Sequence, residues 1–200
     1  MAKAVQLGRS LKALRAANGW SLAEVSRRTS ISISTLSKVE NGLLSLTYDK
    51  LIGLSEGLDV DVSVFFNKAG INPDPTPLGR RSLDDIGGGE IIDTPNYQYR
   101  YLHTDLSNKQ LIPVIVEHTT RTIEDFGPLV KHTGEEFVHV LSGRIEVHTE
   151  LYAPKILGPG ESVYIDSNMG HAYLCVSEEP AQTLSVCVSD PTQSADDHPN

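Results

Sequence analysis

Residues 21–42 read SLAEVSRRTSISISTLSKVENG. Ser21-Leu-Ala-Glu24 has the form of a capping box, in which the Ser21 side chain accepts from the Glu24 amide while Glu24 reaches back. That begins a short helix carrying Ala23, Val25 and Ser26 and running into Arg27-Arg28. Ser32 then caps another helix, through Leu36 and Val39 to Asn41-Gly42, where glycine supplies the positive φ of a helix stop. A short helix, a tight turn and a second helix opening on small polar residues have the proportions of a helix-turn-helix. Only the exposed leading edge of such a second helix reaches base edges in the major groove. With Leu36 and Val39 turned inward, Ser32, Ser34, Thr35 and Lys38 fall on the accessible side. Arg27, Arg28 and the helix-start amides are placed to grip phosphates.

Helical spacing extends from this segment in both directions, over residues 4–66. Val5, Leu7, Leu11 and Leu14 form one apolar stripe with Arg9, Lys12 and Arg15 on other faces, and Asn18-Gly19 stops the helix. Tyr48 to Leu58 reads as a fourth helix and Val62 to Phe66 as a short fifth. The charge is concentrated here. Residues 1–40 hold seven Lys/Arg against two Asp/Glu, a net +5, and residues 1–70 hold nine against six, +3. The other 130 residues carry eight against twenty, −12, so the chain's −9 is an acidic body with a basic head. Such a balance points to a polyanion partner confined to the head.

At 39% hydrophobic and 22% charged, the 200-residue chain buries a core and is no disordered polymer. It has no apolar run near the roughly 20 residues that span a bilayer, which argues against a membrane partner. MAKAVQLGRS lacks the apolar centre of a secretion signal, and Cys175 and Cys187 are too few for a disulfide framework. A cytoplasmic location is expected.

Residues 67–89, with three close prolines and a triple glycine, read as a linker or irregular arm. Beyond them the period changes to two: 97–102, 112–117, 137–141, 144–148, 162–165 and 183–188 read as short strands separated by turn signals. Many short strands in about a hundred residues imply a sandwich or barrel. The polar tail 191–200 reads as flexible.

Within the second half, residues 131–143 read KHTGEEFVHVLSG and residues 170–175 read GHAYLC. Gly134 allows a tight turn that sets His132 and Glu136 facing each other across a hairpin, and His171 comes from a separate strand. Two imidazoles and a carboxylate make a three-ligand face for a divalent metal, Zn(II), Fe(II), Mn(II) or Ni(II). Alternation places Tyr173 and Cys175 on the side of His171, and Val138 and Val140 on the side of Glu136. His139 and His148 belong to packing or to the surface. Three readings stand together: a metal centre, a metal-free pocket for a small molecule, or a pocket without a ligand.

Over about residues 5–66 the chain resembles the xenobiotic-response-element type of helix-turn-helix, the lambda-repressor-like fold of five helices. The resemblance is carried by Leu11, Leu14, Arg15, Val25, Ile31, Ser32, Leu36, Ser37, Val39, Glu40, Asn41 and Gly42. The chain departs from it at Ser26, where the family has alanine, at Ser30, where it has glycine, and at Leu22, which replaces a phosphate-binding glutamine. Over about residues 109–188 the chain resembles a cupin, a double-stranded β-helix of jelly-roll type. That family's first motif is two histidines spaced one apart, then glutamate and glycine. His132, Glu136 and Gly143 match its later slots, and Val130 sits where the first histidine belongs. Pro159-Gly160 and Gly170-His171 match the second motif, with Cys175 in a usual asparagine slot.

The resemblances imply a multidomain α and β protein: a helix-turn-helix domain at 1–66, an arm at 67–89, a cupin domain at 90–190 and the tail. They imply a sequence-specific DNA-binding transcriptional regulator whose cupin domain forms a homodimer and senses a small-molecule effector or metal. Double-stranded DNA would be read through Arg27, Arg28, Ser32, Ser34, Thr35, Lys38 and Asn41. The pocket would be lined by Val130, Val138, Tyr173 and Cys175 around the ligand set His132, Glu136 and His171. The alternative is a metal-dependent cupin enzyme, a dioxygenase or isomerase with a helical appendage, against which Val130 interrupts the ligand set.

Overall fold

The computed structural model describes residues 4–66, 79–106 and 109–188, with side chains from Leu7 onward. The stripe position Val5, the first part of the arm (67–78) and the tail 191–200 lie outside the described side chains and residues. The chain divides into two compact units, Met1–Ile92 with Leu102–Lys109, and Asp93–Tyr101 with Gln110–Asn200.

The first unit holds α1 (Ala4–Ala17), α2 (Leu22–Thr29), α3 (Ile33–Glu40), α4 (Tyr48–Leu58) and a 3-10 turn at Val62–Phe65, the five expected helices. Leu7, Leu11, Leu14, Val25, Leu36, Val39, Leu51, Leu54 and Phe65 are buried together as its core. Burying each such side chain contributes about 1.5–3 kcal/mol before entropy is counted. Two glycines set how closely the helices approach. A Cβ on Gly8 of α1 would stand 2.1 Å from the Val39 carbonyl oxygen of α3, and one on Gly57 of α4 would stand 2.4 Å from that of Arg28 in α2. Arg15 joins the ends of α1 and α3: its Nε and Nη2 donate to the two Glu40 carboxylate oxygens at 2.6 and 3.0 Å, and Nη1 donates to the Trp20 carbonyl at 3.0 Å.

Two local readings are refined. The capping box forms by half: Ser21 Oγ accepts from the Glu24 amide at 3.1 Å, but the Glu24 carboxylate turns to Arg27 and Arg28. Charge-assisted bonds to two guanidiniums outweigh a single neutral backbone donor. Ser30, in the family's glycine slot, ends α2 at φ 56°, ψ 11°, the left-handed region that favours glycine. Residues 79–89 are irregular, with Ser82 donating to Asp105 at 2.6 Å and Asp84 accepting from the His103 amide at 2.7 Å.

The strands run β1 (Glu90–Asp93), β2 (Tyr97–Tyr101), β3 (Ile112–His118), β4 (Glu135–Ser142), β5 (Ile145–Thr149), β6 (Lys155–Leu157), β7 (Ser162–Asp166), β8 (His171–Cys175) and β9 (Ala181–Val188). A four-residue helix, α5 (Ile123–Phe126), separates β3 from β4. In the second unit one sheet has the order β2-β3-β9-β4-β7 and the other β6-β5-β8. Neighbours that are distant in sequence, such as β3 with β9 and β4 with β9, make this a double-sheet barrel rather than a meander. Alternation holds along β2, β3 and β9, each burying every second residue. Gly143 closes the turn after β4 at φ 69°, where a Cβ would stand 2.7 Å from Ala181 Cα.

One expectation is corrected. His132 and Glu136 do not face each other across a hairpin. Val130 bridges His171 of β8 in the smaller sheet, while Glu136 lies in β4 of the larger one, paired with β7 and β9. Gly134, at φ 88°, accepts from the Ser167 amide at 3.0 Å, and the Ser167 carbonyl accepts from the His132 amide, so residues 132–134 run on beside the end of β7. The two residues still meet, a His132 ring nitrogen and a Glu136 oxygen lying within 4.8 Å of each other.

Candidate functional site

The head presents its third helix as a polar edge over an apolar back. Leu36 and Val39 are buried, whereas Ser32, Ile33, Ser34, Lys38 and Asn41 are exposed or partly so and Thr35 is half-buried. Ser32 Oγ accepts from the Thr35 amide at 3.2 Å and lies 3.0 Å from Ser34 Oγ and 2.9 Å from Thr35 Oγ1. Three hydroxyls thus cluster at the start of α3, each able to donate or accept. Asn41 is committed locally, its Nδ2 donating to the Ser37 carbonyl at 2.8 Å. Ile33, 49% exposed on the same edge, escaped the sequence reading.

Arg27 and Arg28 flank this edge, and both are held. Glu24 accepts from Arg27 at 2.7 Å and from Arg28 at 2.8 Å, and these bonds, Arg27's first, bring its carboxyl down to about 2. The Arg28 guanidinium also stacks 4.6 Å above the Trp20 ring. The pair is pre-ordered, at the expense of part of its positive field.

In the barrel, the register sets Ile112, Cys187, Glu136 and Ile165 side by side across β3, β9, β4 and β7. His132 donates its amide to the Ser167 carbonyl at 3.0 Å, just beyond β7, and a nitrogen of its ring lies within 4.8 Å of a Glu136 oxygen and the Cys187 sulfur. His171 opens β8 beside it: the two rings stand edge to face with centroids 5.3 Å apart. His171 Nδ1 donates to the Met169 carbonyl at 2.9 Å, which leaves Nε2, 3.6 Å from Glu136 Oε2, on the interior side. His132 Nδ1 donates to the Thr133 carbonyl at 3.1 Å.

Glu136 is 6% exposed and accepts from the Tyr173 hydroxyl at 3.1 Å. Burial first, then the Glu136 charge, raises the Tyr173 phenol well above its ordinary value and keeps it a donor. The Tyr97 hydroxyl accepts from the Tyr173 amide at 2.9 Å, and burial raises that phenol too. At the far end of β3, His118 Nε2 meets Thr183 Oγ1 at 2.9 Å, and burial lowers its pKa to about 3. Val138 is fully buried beneath Glu136, Val130 is half-buried, and the Cys175 thiol points to the carbonyls of Ser177 and Glu179 at 3.6 and 3.4 Å.

The residue that sequence reading missed is Cys187. His132, Glu136 and Cys187 each offer a ligand atom, all within 4.8 Å of one another. The signal was present: Cys187 shares the parity of Thr183 on β9, and Ala181, Thr183, Ser185 and Cys187 all face inward. The donor types fit a divalent metal: a ring nitrogen of His132, a Glu136 oxygen and the Cys187 sulfur lie within 4.8 Å of one another, and the Nδ1 of His171 is tied to a carbonyl, as in many metal-binding histidines. Of the expected ligand set, His132 and Glu136 belong to this group, whereas His171 lies outside it and approaches only Glu136, at 3.6 Å; a divalent ion held here would supply Lewis acidity.

A helix-turn-helix head and a double-sheet barrel with a buried histidine–carboxylate cluster make up this chain. The comparisons agree: residues 6–64 match the helix-turn-helix domain family and residues 122–187 the cupin domain family, and the chain carries both domains. No curated protein matches the chain significantly. Among solved structures, an HTH_3 family transcriptional regulator from Vibrio cholerae aligns at TM-score 0.62 and 23% identity, covering 94% of this chain and 98% of that one. That likeness shows the fold. An Fe(II) HppE aligns at TM-score 0.48 and 21% identity over 92% and 99% of the two chains, and hydroxypropylphosphonic acid epoxidase from S. wedmorenis at 0.46 and 21% over 92% and 98%. Those two overlaps are too loose to carry an argument.

Proposed function

We propose that the protein is a sequence-specific DNA-binding transcriptional regulator whose cupin barrel responds to a small molecule or a divalent metal. The observation that carries the reading is the leading edge of α3: Ser32, Ile33, Ser34 and Lys38 stand accessible over buried Leu36 and Val39. This is the pattern of a helix anchored by its back and presented to a groove. Arg27 and the helix-start amides set the register on phosphates, and the hydroxyls and Lys38 read base edges. Two copies joined through the barrel would present two such helices to half-sites about 34 Å apart. Ligand in the barrel changes DNA affinity by favouring one arrangement of the heads.

This role implies a cytoplasmic protein, and among the described residues no helix is long and apolar enough to cross a membrane. Selection of duplexes from a random pool tests the reading: one enriched, dyad-symmetric motif is the expected result, and a pool that stays random refutes it.

The second reading, a metal-dependent cupin enzyme, draws on half-buried His132 and buried Glu136 and His171. Oxygen consumption and turnover by the iron-loaded protein over a panel of organic acids would reveal it. The regulator reading is preferred because it uses both domains.

A further inference from the structure

We infer that Cys187 supplies the donor the barrel lacks at Val130, so that His132, Glu136, His171 and the Cys187 thiolate form a four-donor site for a borderline-soft divalent metal. This rests on the metal reading of the barrel proposed above and deepens it.

The geometry assembles the site from both sheets. Cys187 and Glu136 are direct partners in the β4–β9 register, with their side chains on the same buried face. Cys187 is 3% exposed, and neither cysteine is in a disulfide. Its Sγ, a His132 ring nitrogen and a Glu136 oxygen lie within 4.8 Å of one another, and His171 Nε2 adds a fourth donor 3.6 Å from Glu136. Donors of a tetrahedral ion held at 2.0–2.3 Å stand about 3.3–3.8 Å apart, so the His132, Glu136 and Cys187 atoms draw together by about an ångström, and His171, outside that group, swings in on its Glu136 side. Val130 offers no donor, and its backbone is committed to His171 in both directions at 3.0 Å.

The thiolate decides the metal. Sulfur favours Zn(II) and Co(II) over Mg(II), Ca(II) and Mn(II). Four protein donors fill a tetrahedral shell and leave no position for dioxygen and substrate, which suits a sensor better than an oxygenase. Binding transfers the thiol proton to solvent, so metal uptake releases one proton per site above the ionisations of the other ligands.

The test uses the full chain, stripped of metal and titrated with Zn(II) and with Co(II). Wild type is expected to take up one ion per chain, and the Co(II) form to show an intense near-ultraviolet thiolate-to-cobalt charge-transfer band. Cys187→Ser is expected to lose the band and to bind Zn(II) at least about 100-fold more weakly, beyond what loss of a ligand-orienting partner costs. A Co(II)-loaded wild type without the band overturns the inference whether or not the variant folds. So does a band that survives in Cys187→Ser. Stoichiometric uptake without the band leaves the His132, Glu136 and His171 reading standing. No uptake by wild type removes both.

Discussion

His118 gives the barrel a calculable pH response. Its ring is 1% exposed and bonded to Thr183, and burial lowers its pKa to about 3, against about 6.5 in an unfolded chain. The folded state therefore keeps the ring neutral through the whole interval in which the unfolded state takes up a proton. Stability is unaffected above pH 6.5 and falls as pH drops from there toward 3, because the unfolded chain binds more protons. Between pH 7 and pH 5 the loss from this one group is about 2 kcal/mol at 1.36 kcal/mol per unit. The perturbation is His118→Gln, which keeps a polar partner for Thr183 and does not titrate. Urea unfolding of both proteins, followed at pH 7 and pH 5 by near-ultraviolet tyrosine dichroism, isolates the effect, since the remaining histidines cancel in the difference. Six of the seven tyrosines lie after residue 90, so this signal reports the barrel, while the single tryptophan, Trp20, reports the head. Wild type should lose about 2 kcal/mol more than the variant. Parallel losses would refute the reasoning.

The head offers three further expectations. Ser30→Gly, at φ 56°, should stabilise the head by about 0.5–1 kcal/mol, read as a later urea midpoint of Trp20 fluorescence; an earlier midpoint would contradict the left-handed cap. Glu24→Gln releases Arg27 and Arg28 from their shared carboxylate, so duplex affinity should rise and its salt slope steepen by about 0.9 for each further phosphate neutralised. Unchanged affinity would mean that neither arginine faces DNA. Lys38→Ala should weaken binding of the selected duplex, with a salt slope lower by about 0.9 if the lysine meets a phosphate, or with relaxed preference at one base if it does not.

How far the fold was legible depended on the local strength of each signal. The helices around residues 21–42 announced themselves because caps, stops and apolar spacing coincide there. The long strands were legible from alternation, whereas three-residue β6 and four-residue β1 and α5 were too short to show a period. At the site, parity along one strand was readable but pairing between strands was not. Glu136 meets Cys187 through a partnership across about fifty residues, which alternation does not encode. For the same reason Gly134 read as a hairpin turn when its carbonyl in fact accepts from Ser167, just beyond β7. Glu24 shows the remaining limit: a motif names the bonds a side chain is able to make, and two arginines a turn away decided which it makes.

The regulator role stands or falls on whether the head distinguishes sequences. Affinity of the full chain for a selected duplex and for its scrambled counterpart, each over a salt series from about 50 to 200 mM, measures this directly. Both should weaken with salt while the selected duplex keeps a lead of about a thousandfold or more. Equal affinities at every salt concentration would show that α3 reads no bases, and the regulator reading would be withdrawn.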